Sequence, residues 1–140
     1  MKIKKFLIFL GLSVVVAFVA FCVMFWFALR QGPSLEVLTN RVSKSLMVDP
    51  SRLSFLGGDR GRDPSVFFML SGEIPEKADV EILKGWAREH NGKLFDRLAT
   101  AYHIPCTVKD HGELLNYKGE VFDLYLAKAQ EGYCVLYFGF

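Results

Sequence analysis

Between Phe6 and Leu29 the chain holds 24 residues without one charge, and only Gly11 and Ser13 fall outside the apolar set. At a helical rise of about 1.5 Å per residue such a run is roughly 36 Å long, more than the hydrocarbon core of about 30 Å that a bilayer presents. Inside that core every backbone N–H and C=O must be hydrogen-bonded within the segment, so helix is the form open to a lone run, despite its many Val and Phe residues. A cleaved secretory signal shares the basic start, here Lys2, Lys4 and Lys5. Its apolar stretch is usually only about 7 to 15 residues, however, and small residues follow at the cut site. This run is longer, and Trp26 occupies the place where a small residue would be needed for cleavage after Ala28. A lipoprotein signal fails as well, because Phe21 precedes Cys22 where a small residue is required. The expectation is an uncleaved anchor over 6–29, bounded by Phe6 and Leu29, with Trp26 at the interface.

The rest of the chain, 30–140, has the size of one domain. With three lysines set aside ahead of the anchor, 14 basic side chains face 15 acidic ones. Interspersed charge with a net of −1 gives no basic footprint for a nucleic acid or for an anionic lipid surface. Aromatic and branched runs, such as Val66–Leu70 and Val135–Phe138, supply enough apolar material for a core. Basic residues on the two sides of the anchor balance in number; the clustering of the lysines points to a cytoplasmic N-terminus with the domain translocated. Gln31–Pro33 is too short for a flexible tether, so the domain is expected close to the bilayer.

Local patterns predict an α+β domain. Ser34 caps a helix whose apolar positions are Leu35, Leu38, Val42 and Leu46, and Asp49-Pro50 closes it. Arg52–Leu56 and Ser65–Ser71 read as a hairpin across Gly57–Pro64. Between Glu76 and Tyr102, Leu83, Ala87, His90, Leu94 and Leu98 follow helical spacing, and Asn91-Gly92 offers a break between two helices. His90 on that stripe reads as a hydrogen-bonded residue at the rim of the core. A strand is expected near Cys106–Val108, and Val121–Ala127 with Tyr133–Phe138 form a second hairpin. These elements combine as an antiparallel sheet of four to five strands with helices packed on one face.

Chemistry is sparse. His103, Cys106, His111 and Cys134 include one His-x-x-Cys, less than the paired ligands of a structural zinc site, so no metal or cofactor is expected. Cys106 beside His103 has the elements of an activated thiolate, yet catalytic partners usually meet through the fold. Cys106 and Cys134 are either a bridge, if the domain lies outside the cytoplasm, or two buried thiols. Arg60 and Arg62 among glycines form a candidate anion- or partner-binding loop, with Asp59 and Asp63 placed to neutralise them. Asp110, Glu113 and Glu120 supply carboxylates that no spacing pairs for acid–base work.

No family pattern is matched: pilin-like subunits share the outline, but the leader glycine and a glutamate within Phe6–Leu29 are missing. The reading is a single-pass protein of a bacterial inner membrane, in contact with lipid through its helix. Its extracytoplasmic domain would be a non-catalytic module that binds another envelope protein. A small tethered enzyme, or an immunity protein against an extracytoplasmic toxin, is the alternative.

Overall fold

The computed structural model describes residues 2–106 and 113–140. The chain divides into two compact units, 1–31 and 32–140. In the first, α1 (Lys2–Arg30) is one unbroken helix of 29 residues with no buried residue. It is long and apolar enough to cross a membrane. At its end the Arg30 guanidinium lies 3.9 Å over the centre of the Trp26 ring, a cation–π contact at the polar boundary of the apolar run.

In the second unit, α2 (Leu35–Leu46) begins where expected. The Ser34 side chain accepts from the Val37 N–H, and Met47 in the left-handed region ends the helix, its N–H donating to the Lys44 and Ser43 carbonyls. Asp49 then caps a single 3-10 turn, Pro50–Arg52. Leu38, Val42 and Leu46 are fully buried, as the apolar spacing requires.

Among the described residues six antiparallel strands follow: β1 (Leu53–Asp59), β2 (Ser65–Ser71), β3 (Glu81–Ile82), β4 (Leu114–Lys118), β5 (Phe122–Ala129) and β6 (Gly132–Gly139). They lie in the order β1-β2-β6-β5-β4-β3. This exceeds the four to five strands expected, and part of the excess comes from 81–82. The helical spacing between Glu76 and Tyr102 takes in that segment, which instead pairs Glu81 with Asn116 and Ile82 with Leu115. The Leu83 N–H extends the link, donating to the Leu114 carbonyl at 2.9 Å. The helix after it, α3 (Gly85–Ala101), starts later than the periodicity implied and runs through Asn91-Gly92 without a break. The strand expected near Cys106–Val108 lies, beyond Cys106, outside the described residues.

The first hairpin is also longer than its sequence reading. Gly57 and Gly58 belong to β1, and the register shifts between Phe55 and Gly57, a bulge that leaves Leu56 unpaired. Gly58 has φ +124°, and a Cβ there would run into the Ser65 carbonyl oxygen, so the close strand crossing needs glycine.

The expectation of helices on one face is corrected. α2 packs with Val66, Phe68, Leu70, Phe122, Leu124, Leu126, Val135 and Tyr137. Phe95 of α3 packs with Phe67, Leu114, Tyr125, Ala127, Cys134 and Leu136. Successive strand residues point to opposite faces, so the two sets lie on opposite sides of the sheet, and the helices do too. The cause is in the strands: β2, β5 and β6 carry apolar side chains at odd and even positions alike, and both faces must leave water.

The two sides are unequal. α2 buries four residues and α3 only Phe95, whose ring meets Phe67 edge-on at 5.4 Å. His90 is exposed and stacks on Trp86 at 4.8 Å and 9°, away from the core rim expected for it. For the full chain in detergent, Phe67→Ala is expected to lower the unfolding free energy of the C-terminal unit by about 3 to 5 kcal/mol. Trp86→Ala, at 76% exposure, is expected to change it by less than about 0.5 kcal/mol. Denaturant unfolding followed by far-UV circular dichroism measures both.

Candidate functional site

The loop joining β1 to β2 separates its two arginines. Asp59 is occupied with the backbone, its Oδ1 accepting from the Gly61 N–H at 2.9 Å. The sequence had set Asp59 and Asp63 against Arg60 and Arg62. Among the described residues no carboxylate comes within 4.0 Å of either guanidinium. Arg60 lies 5.8 Å from the centre of the exposed Phe55 ring. Arg62 goes elsewhere, into a hollow of about 250 Å³ that it lines with Pro33, Arg41, Val121, Tyr137 and Phe140.

Sequence reading missed Arg41 and Tyr137 as partners of that hollow. Arg41 lies on α2, one residue before the buried Val42, and is itself half-buried. Its Nη1 donates to the Tyr137 hydroxyl at 2.8 Å. Tyr137 is fully buried on β6, where its ring stacks on Phe122 at 4.7 Å. A local signal existed only for Arg41, as a charged residue adjacent to the apolar stripe; its distance of 96 residues from Tyr137 hid the pairing. Arg52, also unremarked in the sequence, fastens the 3-10 turn to the end of β2, donating from Nε to the Ser71 carbonyl at 2.8 Å and from Nη2 to that of Glu73.

Cys106 and Cys134 meet on the α3 side of the sheet at disulfide distance, with Cα atoms 6.3 Å apart. Cys134 is fully buried in β6. His103 and Cys106 line one open hollow of about 480 Å³ with Asp96, Ala99, Thr100 and Ile104. His103 is exposed and has φ +51°. A sulfur bonded to Cys134 has no thiolate to offer, so the nucleophile reading of Cys106 requires reduction first. His111 and Asp110 lie outside the described residues. Among the described residues no group of three His, Cys, Asp or Glu side chains is arranged to hold a metal.

Beneath α3 a second cleft, about 360 Å³, is lined by charged groups of both signs, including Arg88, Lys93, Asp96 and Glu113. Glu89 and Lys93 pair at 3.5 Å one turn apart, both exposed, a contact of small energetic weight. Glu120 is exposed in the turn between β4 and β5, apart from this cleft's lining. On β5, burial pushes the Tyr125 phenol above its ordinary pKa, and the neighbouring Asp123 carboxylate adds to the shift. Asp49 is shifted the other way, held down by the Ser51 backbone N–H. Compared with known proteins, the chain matches no family model, no curated protein and no solved structure.

If the two cysteines are bonded, alkylation without reductant leaves both unmodified, and reduction shortens the unfolding free energy by about 2 to 4 kcal/mol for a loop of this size. Intact mass after alkylation, with and without reductant, checks the first statement. For Tyr125 the folded state holds its proton more tightly than the unfolded one. The associated stability is present below the ordinary phenol range and is lost as pH rises through the raised value. Above about pH 10 the melting temperature is therefore expected to fall more steeply in the parent protein than in Tyr125→Phe.

Proposed function

We propose that the chain is a single-pass membrane protein whose domain, on the far side from a cytoplasmic N-terminus, acts as a non-catalytic binding module for another protein of the cell envelope. One observation carries this reading. α1 carries an uncharged apolar run of which no residue is buried. In water such a surface would cost far more than a domain of this size can offset, at about 25 cal/mol per Å² of apolar area. Lipid removes that cost. Lys2, Lys4 and Lys5 ahead of the run favour the inner side of the membrane for the N-terminus.

The cysteine pair supports the orientation, since a bridge between Cys106 and Cys134 persists in oxidising compartments and is rare in the cytosol. Trp86 supports the binding role. It stands 76% exposed and is stiffened by its stack on His90, a residue type enriched among the anchors of protein interfaces.

Alkaline carbonate washing is expected to leave the full-length chain with the membranes. Protease added outside sealed right-side-out vesicles is expected to degrade 32–140. Mature protein that starts beyond residue 29, or that leaves with the wash, would remove the anchor from the reading. For the binding role, a photo-crosslinking side chain at position 86 in the intact membrane is expected to give a discrete protein adduct. A result identical to that from a crosslinker at the exposed Lys128 would count against it.

A further inference from the structure

The hollow lined by Arg41, Arg62 and Tyr137 presents hydrogen-bond donors without a matching acid. Neither guanidinium has a carboxylate within 4.0 Å among the described residues. The Tyr137 oxygen already accepts from Arg41, and no acceptor for its own O–H proton occurs in the hydrogen bonds of the described residues. That hydroxyl belongs to a fully buried side chain, held by the Phe122 ring, and Tyr137 is among the residues that line the hollow. Arg41 is tied down by its bond to Tyr137, so one of the two charges is already placed before any ligand arrives.

A site lined by two guanidinium groups and a tyrosine whose hydroxyl already accepts from one of them, with no acidic side chain in its lining, is complementary to an oxyanion. Phosphate suits it best, because its several oxygens can take forked donation from arginine and a further bond from a hydroxyl. The rim adds a second character. Val121 and Phe140, exposed by 53% and 62%, stand beside Arg62, so the entrance is apolar where the interior is cationic. A free inorganic ion has no use for such a rim, whereas a phosphodiester that carries hydrocarbon does. Pro33, also in the lining, follows the last residue of α1 by three positions.

We propose that Arg41, Arg62 and Tyr137 form a phosphate-binding site, and that its occupant is the headgroup phosphate of an anionic phospholipid from the bilayer that α1 enters. This rests on the membrane reading above, but the phosphate chemistry of the site stands apart from it. Arg62 is the residue that the loop contributes, and Arg60, turned to Phe55, is left out.

The test uses the full chain in micelles of a neutral maltoside detergent. Dioctanoyl phosphatidylglycerol, dioctanoyl phosphatidylcholine and inorganic phosphate are titrated separately, with adducts counted by native mass spectrometry. Phosphatidylglycerol is expected to bind in preference to phosphatidylcholine. Arg62→Gln is expected to weaken it at least about tenfold, since a charge-assisted bond is lost. Tyr137→Phe, which keeps the ring stack, is expected to weaken it about threefold or more, and Lys128→Gln to leave it unchanged. Arg41→Gln is read only if its melting temperature shows a folded domain; Arg62 is exposed, so its variant keeps the test decisive. Equal adducts for all variants overturn the site. Inorganic phosphate bound as well as the lipid, with the same dependence on Arg62, overturns the lipid assignment while keeping the oxyanion chemistry. Carbonate extraction of the full chain would sink the membrane reading and leave the Arg62-dependent phosphate arm standing by itself.

Discussion

Both faces of the central strands have to be kept from water, and the domain is organised around that need. In β2, Val66, Phe68 and Leu70 face one way and Phe67 the other; in β5, Phe122, Leu124 and Leu126 oppose Tyr125 and Ala127. A sheet of this kind cannot leave a side to solvent, as many antiparallel sheets do. Two helices from different parts of the chain are therefore recruited, α2 from before the sheet and α3 from the connection between β3 and β4. The order of the strands follows the same logic. β2, β6 and β5, the three with the most buried residues, lie at the middle, and the short β3 and the bulged β1 are left at the edges.

The helices do this work unequally, and the difference shapes where function can reside. α2 sends Leu38, Val42 and Leu46 into a continuous apolar layer. α3 contributes a single buried ring, Phe95, and hollows open along its length. Polar groups caught in the interior are matched locally: the Asn116 amide donates to the Leu124 carbonyl at 3.1 Å and the Ser43 hydroxyl to that of Val48 at 2.6 Å. No buried side-chain polar atom among the described residues lacks a partner. Against that background the Arg41–Tyr137 pair stands out, because its bond satisfies the hydroxyl as an acceptor beside a hollow that two arginines line.

Charge in this protein is organised by position more than by total. Fourteen basic and fifteen acidic side chains follow the N-terminal lysines, a balance that suggests neutrality everywhere. Folding breaks the balance locally. Asp59 is drawn to the Gly61 N–H by the shape of its turn, which takes it out of the role of counter-ion to its neighbours. Arg62 is thereby free to turn towards α2 and β6, where Arg41 adds a second positive charge. Two like charges at one hollow are tolerable at a wet surface, where the dielectric is high and Arg62 can extend into solvent.

Much of the architecture could be read from the residues alone, because the signals are local. An uncharged run from Phe6 to Leu29 dictates a helix long enough to cross a bilayer, Ser34 with the spacing of Leu38, Val42 and Leu46 dictates α2, and the alternation around Gln130-Glu131 dictates the last hairpin. Where the reading failed, a non-local partner decided. Glu81-Ile82 became a strand because β4 was there to pair with it, and α3 went to the opposite face because β2, β5 and β6 each present apolar groups on both sides. His90 lies at a helical spacing from buried positions, yet α3 rolls it outward onto Trp86. The meeting of Arg41 with Tyr137 and Arg62, and the approach of Cys106 to Cys134, join residues far apart in sequence. Spacing along the chain carries no record of such distances; packing of the sheet against its two helices sets them.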